Sequence, residues 1–327
     1  MEDIKKKIFG IGNNAEFNQL ALDIFFLQYH HNFVYHQYID FLKKDITEVK
    51  TLTDIPFLPI SFFKTHKIIT DKADADFYFQ SSGTTGQVRS KHFVADKQIY
   101  VDSFLASFQK FYGNSENYCF LALLPSYLEQ QHSSLVFMID YFIKNSLCAE
   151  SAFSLDDFEK LADTLRKLEK AEKKTILFGV SYALMDFAEF YNESLNHTIV
   201  IETGGMKGRR EELTKQELHR FLKDRFQTEI HSEYGMTELF SQAYSKRGGK
   251  FFTSPWMKIL IRDRYDPFSY LPENKTGGIN IIDLANINSC SFIETQDLGK
   301  INSDNSFELY GRFDVADIRG CNLLIEQ

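Results

Sequence analysis

The sequence predicts an α/β fold: a parallel sheet with flanking helices, followed by a C-terminal β-rich, barrel-like module. In the middle of the chain, apolar runs of strand length alternate with amphipathic segments of helical length. Near residue 250 the texture changes to short strands separated by Asn, Asp and Gly turns. A hydrophobic content of 43%, with 32 Phe and 16 Tyr among 327 residues, supplies a core large enough to bury such a sheet.

Between residues 14 and 45, Phe17, Leu20, Ala21, Ile24, Phe25, Leu27 and Tyr29 recur close to helical spacing, so residues 1–76 are expected to be a helical opening. Pro56, Pro59 and Ser61 turn the chain, and Asp71 to Asp76 form a polar approach to a Ser/Gly/Thr run. Strands are then expected at 118–124, 175–180 and 198–201, and helices at 133–144, 182–191 and 211–226. Segment 155–173 sets Leu155, Phe158, Leu161, Leu165 and Leu168 among charges, the pattern of a surface helix. Strands at 257–261, 278–284, 291–294 and 307–310 follow, giving an α/β core over 1–250 and a β-rich module over 251–327.

A net charge of -8 without a basic stripe opposes nucleic-acid binding. No stretch approaches the ~18 apolar residues of a membrane span, and the N-terminus carries no leader pattern, so a cytoplasmic protein is expected. Cys119, Cys148, Cys290 and Cys321 lie far apart along the chain, a spacing that suggests neither a zinc site nor a disulfide framework.

Candidate chemistry begins at Ser81-Ser82-Gly83-Thr84-Thr85-Gly86, followed by Arg89 and Lys91. Two glycines let backbone amides approach an anion, the hydroxyls donate to its oxygens, and Arg89 or Lys91 balances its charge. Gln87 stands where the common P-loop needs Lys, and runs of this composition also form ordinary polar turns. In His231-Ser232-Glu233-Tyr234-Gly235-Met236-Thr237-Glu238, Tyr234 can stack on a base, Thr237 can bond a phosphate and Glu238 can hold a magnesium ion. Gly204 and Gly205 follow a predicted strand, at the end where ligands bind. Asp297 can accept from two ribose hydroxyls, and the Arg312 fork suits the same ribose or a phosphate.

The order SSGTTG, GG, YGMTE, TQDLG and GRFD, across residues 81 to 314, resembles the adenylate-forming superfamily of acyl- and aryl-CoA ligases, luciferases and adenylation domains. The resemblance implies ATP and Mg2+ as cofactors, triphosphate at Ser81–Gly86 and Arg89, adenine at Gly204, Gly205 and Tyr234, the α-phosphate at Thr237, magnesium at Glu238, and ribose at Asp297 and Arg312. The C-terminal module would complete the nucleotide site. Two departures stand out. Gln296 replaces the Gly that usually precedes the ribose-binding Asp, which leaves the backbone at Asp297 open. Most members also continue beyond GRxD into a mobile lid bearing a catalytic lysine, whereas this sequence stops at Gln327. Without a lid, Arg89, Lys91, Lys207, Arg209 or a partner protein is expected to stabilise the developing charge.

Leu124-Pro125-Ser126-Tyr127-Leu128-Glu129, Ser133-Ser134-Leu135, Gly204-Gly205-Met206-Lys207-Gly208-Arg209 and Arg319-Gly320-Cys321 are similar to one branch, the LuxE-like acyl-protein synthetases. That likeness implies activation of a fatty acid to acyl-AMP, transfer to Cys321 as a thioester, and a possible acyl-CoA reductase or acyl-accepting protein as partner. Packing as a small buried hydrophobe is the other reading of Cys321. A coenzyme A ligase of the phenylacetate type and a nucleotide-binding subunit without turnover are the rival functions. His132, before the expected N-cap Ser133, and His231 are either structural hydrogen-bonders or aids to the carboxylate and thiol.

Overall fold

The computed structural model describes residues 2–71, 75–82, 88–124, 132–154, 157–204 and 213–312. Helices α1 (Glu2–Phe9), α2 (Asn14–His31) and α3 (Phe33–Phe41) open the chain. They are followed by β1 (Leu58–Pro59), the single turn α4 (Phe62–Thr65), the hairpin strands β2 (Tyr78–Gln80) and β3 (Lys91–Phe93), and α5 (Lys97–Tyr112). Strand and helix then alternate through β4 (Cys119–Leu123), α6 (Ser134–Asn145), β5 (Ala152–Phe153), α7 (Phe158–Lys170), β6 (Thr175–Val180), α8 (Ser181–Phe190), β7 (Thr198–Thr203), α9 (Lys215–Phe226) and β8 (Ile230–Tyr234). Strands β9 (Ala243–Ser245), β10 (Phe252–Thr253), β11 (Met257–Arg262), β12 (Gly277–Asp283), β13 (Phe292–Ile301) and β14 (Phe307–Arg312) complete the order. This is the α/β fold the patterning predicts. Among the described residues, no helix is long and apolar enough to cross a membrane.

Packing divides the chain into two units, one of Met1–Ser103, Thr237–Ser241 and Phe252–Gln327, the other of Phe104–Met236 and Gln242–Phe251. In the second unit the sheet runs β9-β8-β7-β6-β4-β5, parallel throughout except where β9 pairs antiparallel with β8. Strands β4 and β6 are buried along their whole length, which is why they read as unbroken apolar runs. Helix α7 buries the stripe Leu161, Ala162, Leu165 and Leu168 and is capped by Asp157, while α9 begins in a Thr214/Glu217 capping box. Ser133 caps α6 as its sequence predicts, accepting from the Val136 amide at 3.3 Å.

In the first unit β11, β12 and β13 form an antiparallel sheet, and β13 also pairs with β14 and, in parallel, with β1. The sheet is open rather than a closed barrel, because β11 has only β12 as a strand partner among the described residues. Strand β13 runs for 10 residues, more than twice the expected length, and carries Asp297 inside it. Gln296 is thus ordinary extended backbone, and the geometry there has no need of the Gly it replaces.

The C-terminal strands of this unit are tied to its N-terminal helices by buried side-chain amides. Gln28 of α2 donates to the Asn286 and Ile287 carbonyls at 3.1 and 3.0 Å and accepts from the Ser291 amide at 2.9 Å. Asn32 and Thr70 both donate to the Ser289 carbonyl, at 2.8 and 2.7 Å. Each such bond contributes about 1 kcal/mol, but losing one partner strands a buried polar group at a cost of about 1–3 kcal/mol.

One pairing departs from the expectation set by cysteine spacing. Cys119 opens β4 and Cys148 precedes β5, strands that pair side by side, and the two sulfurs lie within 4.8 Å of one another.

Candidate nucleotide and acyl site

Within the first unit the phosphate-loop candidate is the connection of the β2–β3 hairpin. Its base is closed twice: the Ser81 amide donates to the Ser90 carbonyl at 3.1 Å, and the Ser90 amide donates to Ser81 Oγ at 3.0 Å. Ser81 is thus a structural clamp as well as a candidate ligand. Gly83, Thr84, Thr85 and Gly86 lie outside the described residues, as do Gly205, Lys207, Arg209 and Cys321. Arg89 is exposed, while the Lys91 ammonium lies 4.7 Å from the centre of the Tyr78 ring.

The Thr237–Ser241 segment is fixed by bonds from several elements of that unit. His92 Nδ1 donates to the Thr237 carbonyl at 2.9 Å, and Asn286 Nδ2 donates to the Glu238 carbonyl at 2.8 Å. Asp283 Oδ2 accepts from the Phe240 and Ser241 amides at 2.8 and 2.9 Å. The His92 ring stacks on Phe240 at 4.6 Å. Burial pulls the His92 pKa down to about 4, so the ring is neutral at pH 7 and the Thr237 carbonyl fixes its proton on Nδ1.

Glu238 itself is buried, and burial raises its pKa against the opposing hydrogen bond from Ser90. Asp297 and Arg312 face one another across β13 and β14, with Arg312 Nε donating to Asp297 Oδ1 at 3.0 Å, and both act electrostatically on Glu238. The predicted magnesium ligand and the predicted ribose pair therefore share one electrostatic environment. Ser90 and His92 were absent from the sequence-derived site. Ser90 sits one residue from Arg89 and Lys91, but a serine or histidine beside charged residues has no distinguishing spacing.

In the second unit the carboxyl ends of β6, β7 and β8 lie side by side, with Val180 opposite Thr203 and Thr203 opposite Glu233. Gly204 has φ of +72°, a left-handed conformation that favours glycine. At Gly235 an added Cβ would run into the Glu233 carboxylate, so a larger residue there would have to displace that side chain. Tyr234 is buried, its ring edge-on to Phe251 at 6.1 Å. His231 lies inside β8, and its Nδ1 is 3.2 Å from the Tyr112 hydroxyl, a structural role. His132 lies just before the Ser133 cap of α6.

A fully buried carboxylate, Glu202, underlies these strand ends. It accepts from Lys215 Nζ at 2.5 Å and from Ser181 Oγ at 3.2 Å, with His219 Nε2 at 3.2 Å. The Ser181 hydroxyl also reaches the Gly204 carbonyl at 3.2 Å, so the network braces the glycine turn. Burial alone would raise the Glu202 pKa, but the Lys215 charge and bonds from His219 and Lys215 bring it down to about 2. Its neighbour Glu233 goes the other way: burial raises it to about 7, with the Glu202 charge adding to the effect and the Thr203 hydroxyl opposing it.

This inequality sets a pH dependence. The folded state holds the Glu233 proton more tightly than the unfolded chain, so that contribution is complete below the unfolded value of about 4.3 and lost as pH rises to about 7. Glu202, lowered to about 2 in the folded state, is ionised in both states once the pH is well above about 4.3. His231, lowered to about 4 chiefly by burial, has the opposite slope but cancels in a comparison of variants. Glu233→Gln, which mimics the protonated form, should therefore gain stability relative to wild type between pH 5 and 8, by on the order of 1 kcal/mol or more. Urea denaturation of both proteins checks this, and parallel stability profiles would refute it.

The family model for acyl-protein synthetase, LuxE, matches residues 12–327. The chain belongs to the LuxE family. Solved structures with a similar fold include ATP-bound MatB from Rhodopseudomonas palustris, at 16% identity and a TM-score of 0.56 over 73% of this chain and 48% of that one. An open conformation of 2-hydroxyisobutyryl-CoA ligase, in complex with 2-HIB-AMP and CoA, matches at 11% identity and a TM-score of 0.66 over 92% and 71%. The AMP complex of O-succinylbenzoate coenzyme A synthetase (MenE) from Bacillus subtilis matches at 16% identity and a TM-score of 0.52 over 73% and 50%. Comparison with curated proteins gives no match. This LuxE chain spans about half the length of MatB, so it shares the fold of adenylate-forming ligases over that part.

Proposed function

We propose that this LuxE-family chain is an ATP-dependent ligase that activates a carboxylic acid, a fatty acid by family resemblance, to acyl-AMP and pyrophosphate, then passes the acyl group to the thiol of Cys321. The observation that carries the reading is the buried Glu238, held on a pinned segment and coupled electrostatically to the Asp297–Arg312 pair and, through Ser90, to the base of the phosphate loop.

The donor set fits a nucleotide with its metal. Glu238 offers hard carboxylate oxygen from a site whose burial opposes an uncompensated negative charge, the chemistry that Mg2+ takes. When bound, Mg2+ neutralises charge on the phosphate oxygens and orients them. Asp297 accepts from the ribose hydroxyls, and Arg312 holds the Asp297 carboxylate in place. Thr237 donates to the α-phosphate. The substrate carboxylate is already ionised at neutral pH and attacks the α-phosphorus in line, so the protein supplies position and electrostatics rather than a general base. Arg89 and Lys91 add positive charge beside the loop. A cytoplasmic setting suits the reading, because it keeps Cys321 as a thiol.

ATP/pyrophosphate exchange over a panel of fatty and aromatic acids tests the proposal. Acid-dependent exchange is expected with fatty acids, and Arg89→Ala should lower it by well over tenfold. ATP binding without exchange on any acid would make the chain a nucleotide-binding subunit. Preference for aromatic acids with free acyl-CoA as product would make it a coenzyme A ligase.

A further inference from the structure

We propose that Cys119, Cys148 and Glu150 form a binding site for a thiophilic divalent cation of the zinc type, at the end of the second unit's sheet opposite the strand ends that carry Gly204 and Tyr234. The two sulfurs and a Glu150 oxygen all lie within 4.8 Å of one another. Cys148 Sγ is 3.3 Å from Glu150 Oε2. Zinc bonds of about 2.3 Å to sulfur and about 2.0–2.2 Å to oxygen place tetrahedral ligands roughly 3.5–3.8 Å apart. A cation can therefore enter between these atoms with small side-chain adjustments and no rearrangement of the strands.

The surroundings favour such a site. Lys167 Nζ holds Glu150 Oε1 at 2.6 Å, which leaves Oε2 turned towards the sulfur. Two thiolates and one carboxylate around a divalent cation carry a net charge of -1, and the Lys167 ammonium balances it. Ser151 Oγ lies 3.6 Å from Cys119 Sγ and is itself fixed by the Phe120 amide at 2.9 Å and Ser146 at 2.8 Å. Glu150 is part-exposed, so solvent reaches the cluster from its side and supplies the fourth ligand. Binding breaks two S–H bonds, forms two metal–sulfur bonds and releases two protons to solvent, with no change of oxidation state.

A bound cation would join the start of β4 to the segment between α6 and β5, a structural staple that neither cysteine's position in sequence announces. The test is titration of the reduced protein with Cd2+, followed by the near-ultraviolet sulfur-to-cadmium charge-transfer band. A single equivalent should saturate the band, Cys119→Ser and Cys148→Ser should each remove most of it, and Cys290→Ser should leave it unchanged. In the wild-type protein, which avoids dependence on the variants' folding, Cd2+ should protect Cys119 and Cys148 from alkylation, read peptide by peptide by mass spectrometry. No band, a band unchanged by Cys148→Ser, or no protection of that pair would overturn the proposal. Air oxidation of the pair to a disulfide, together with no Cd2+ uptake by the reduced form, would overturn it in favour of a redox pair.

Discussion

Glu238→Gln is expected to lower acid-dependent ATP/pyrophosphate exchange by roughly a hundredfold or more, the loss typical of removing one preorganised electrostatic group from a reacting phosphate or acyl centre. The substitution keeps shape and hydrogen-bonding capacity but removes the charge that suits a magnesium ion. It should leave the fold intact, because the segment is held by its backbone: Asn286 on the Glu238 carbonyl, His92 on the Thr237 carbonyl, and Asp283 on the Phe240 and Ser241 amides. The effect should appear in the maximal rate and resist excess Mg2+, while the thermal midpoint stays near wild type. Asp297→Asn is a useful contrast, since a ribose contact present in both ground and transition states raises KM for ATP more than it lowers kcat. Exchange by Glu238→Gln within a few-fold of wild type would remove that residue from the metal role.

The fold was legible where burial leaves a one-dimensional trace. Strands β4 and β6 are buried on both faces, so their sequences are continuously apolar, and α7 buries one stripe, so its apolar residues recur at helical spacing. Of the hairpin, Phe77-Tyr78-Phe79 reads as a short strand and overlaps β2, whereas β3 and helix α5 were not anticipated, since α5 is only weakly amphipathic and a three-residue strand leaves too short a period to detect. For the candidate site, the sequence singles out residue runs that are unusual in themselves, such as SSGTTG and YGMTE. The site was illegible where a common residue acts through a distant partner. Glu202 is one glutamate among many until Lys215, His219 and Ser181 converge on it, and Ser90 becomes informative only beside Ser81 and Glu238. The Cys119–Cys148 pair belongs to the same class, because strand pairing, not sequence spacing, brings the two thiols together.

Those thiols also sharpen the second large expected effect, which concerns Cys321. A cysteine that accepts an acyl group must present a thiolate, and burial pushes both Cys119 and Cys290 up to about 12, where they stay protonated at neutral pH. Cys148 is buried at the far end of the sheet from Gly204, with its Sγ hydrogen-bonded to Glu150 Oε2 at 3.3 Å. An acyl group retained by the protein should therefore reside on Cys321. In that step sulfur bonds to the acyl carbon, the bond from that carbon to the AMP oxygen breaks, AMP leaves and the thiol proton passes to solvent. Incubation with ATP, Mg2+ and a fatty acid should add one acyl mass that neutral hydroxylamine removes. Cys321→Ser should abolish this adduct while exchange stays within about threefold of wild type, because adenylation precedes the thiol step. An adduct that survives the substitution would move the acceptor elsewhere in the chain, and exchange lost in parallel with the adduct would make Cys321 part of adenylation instead.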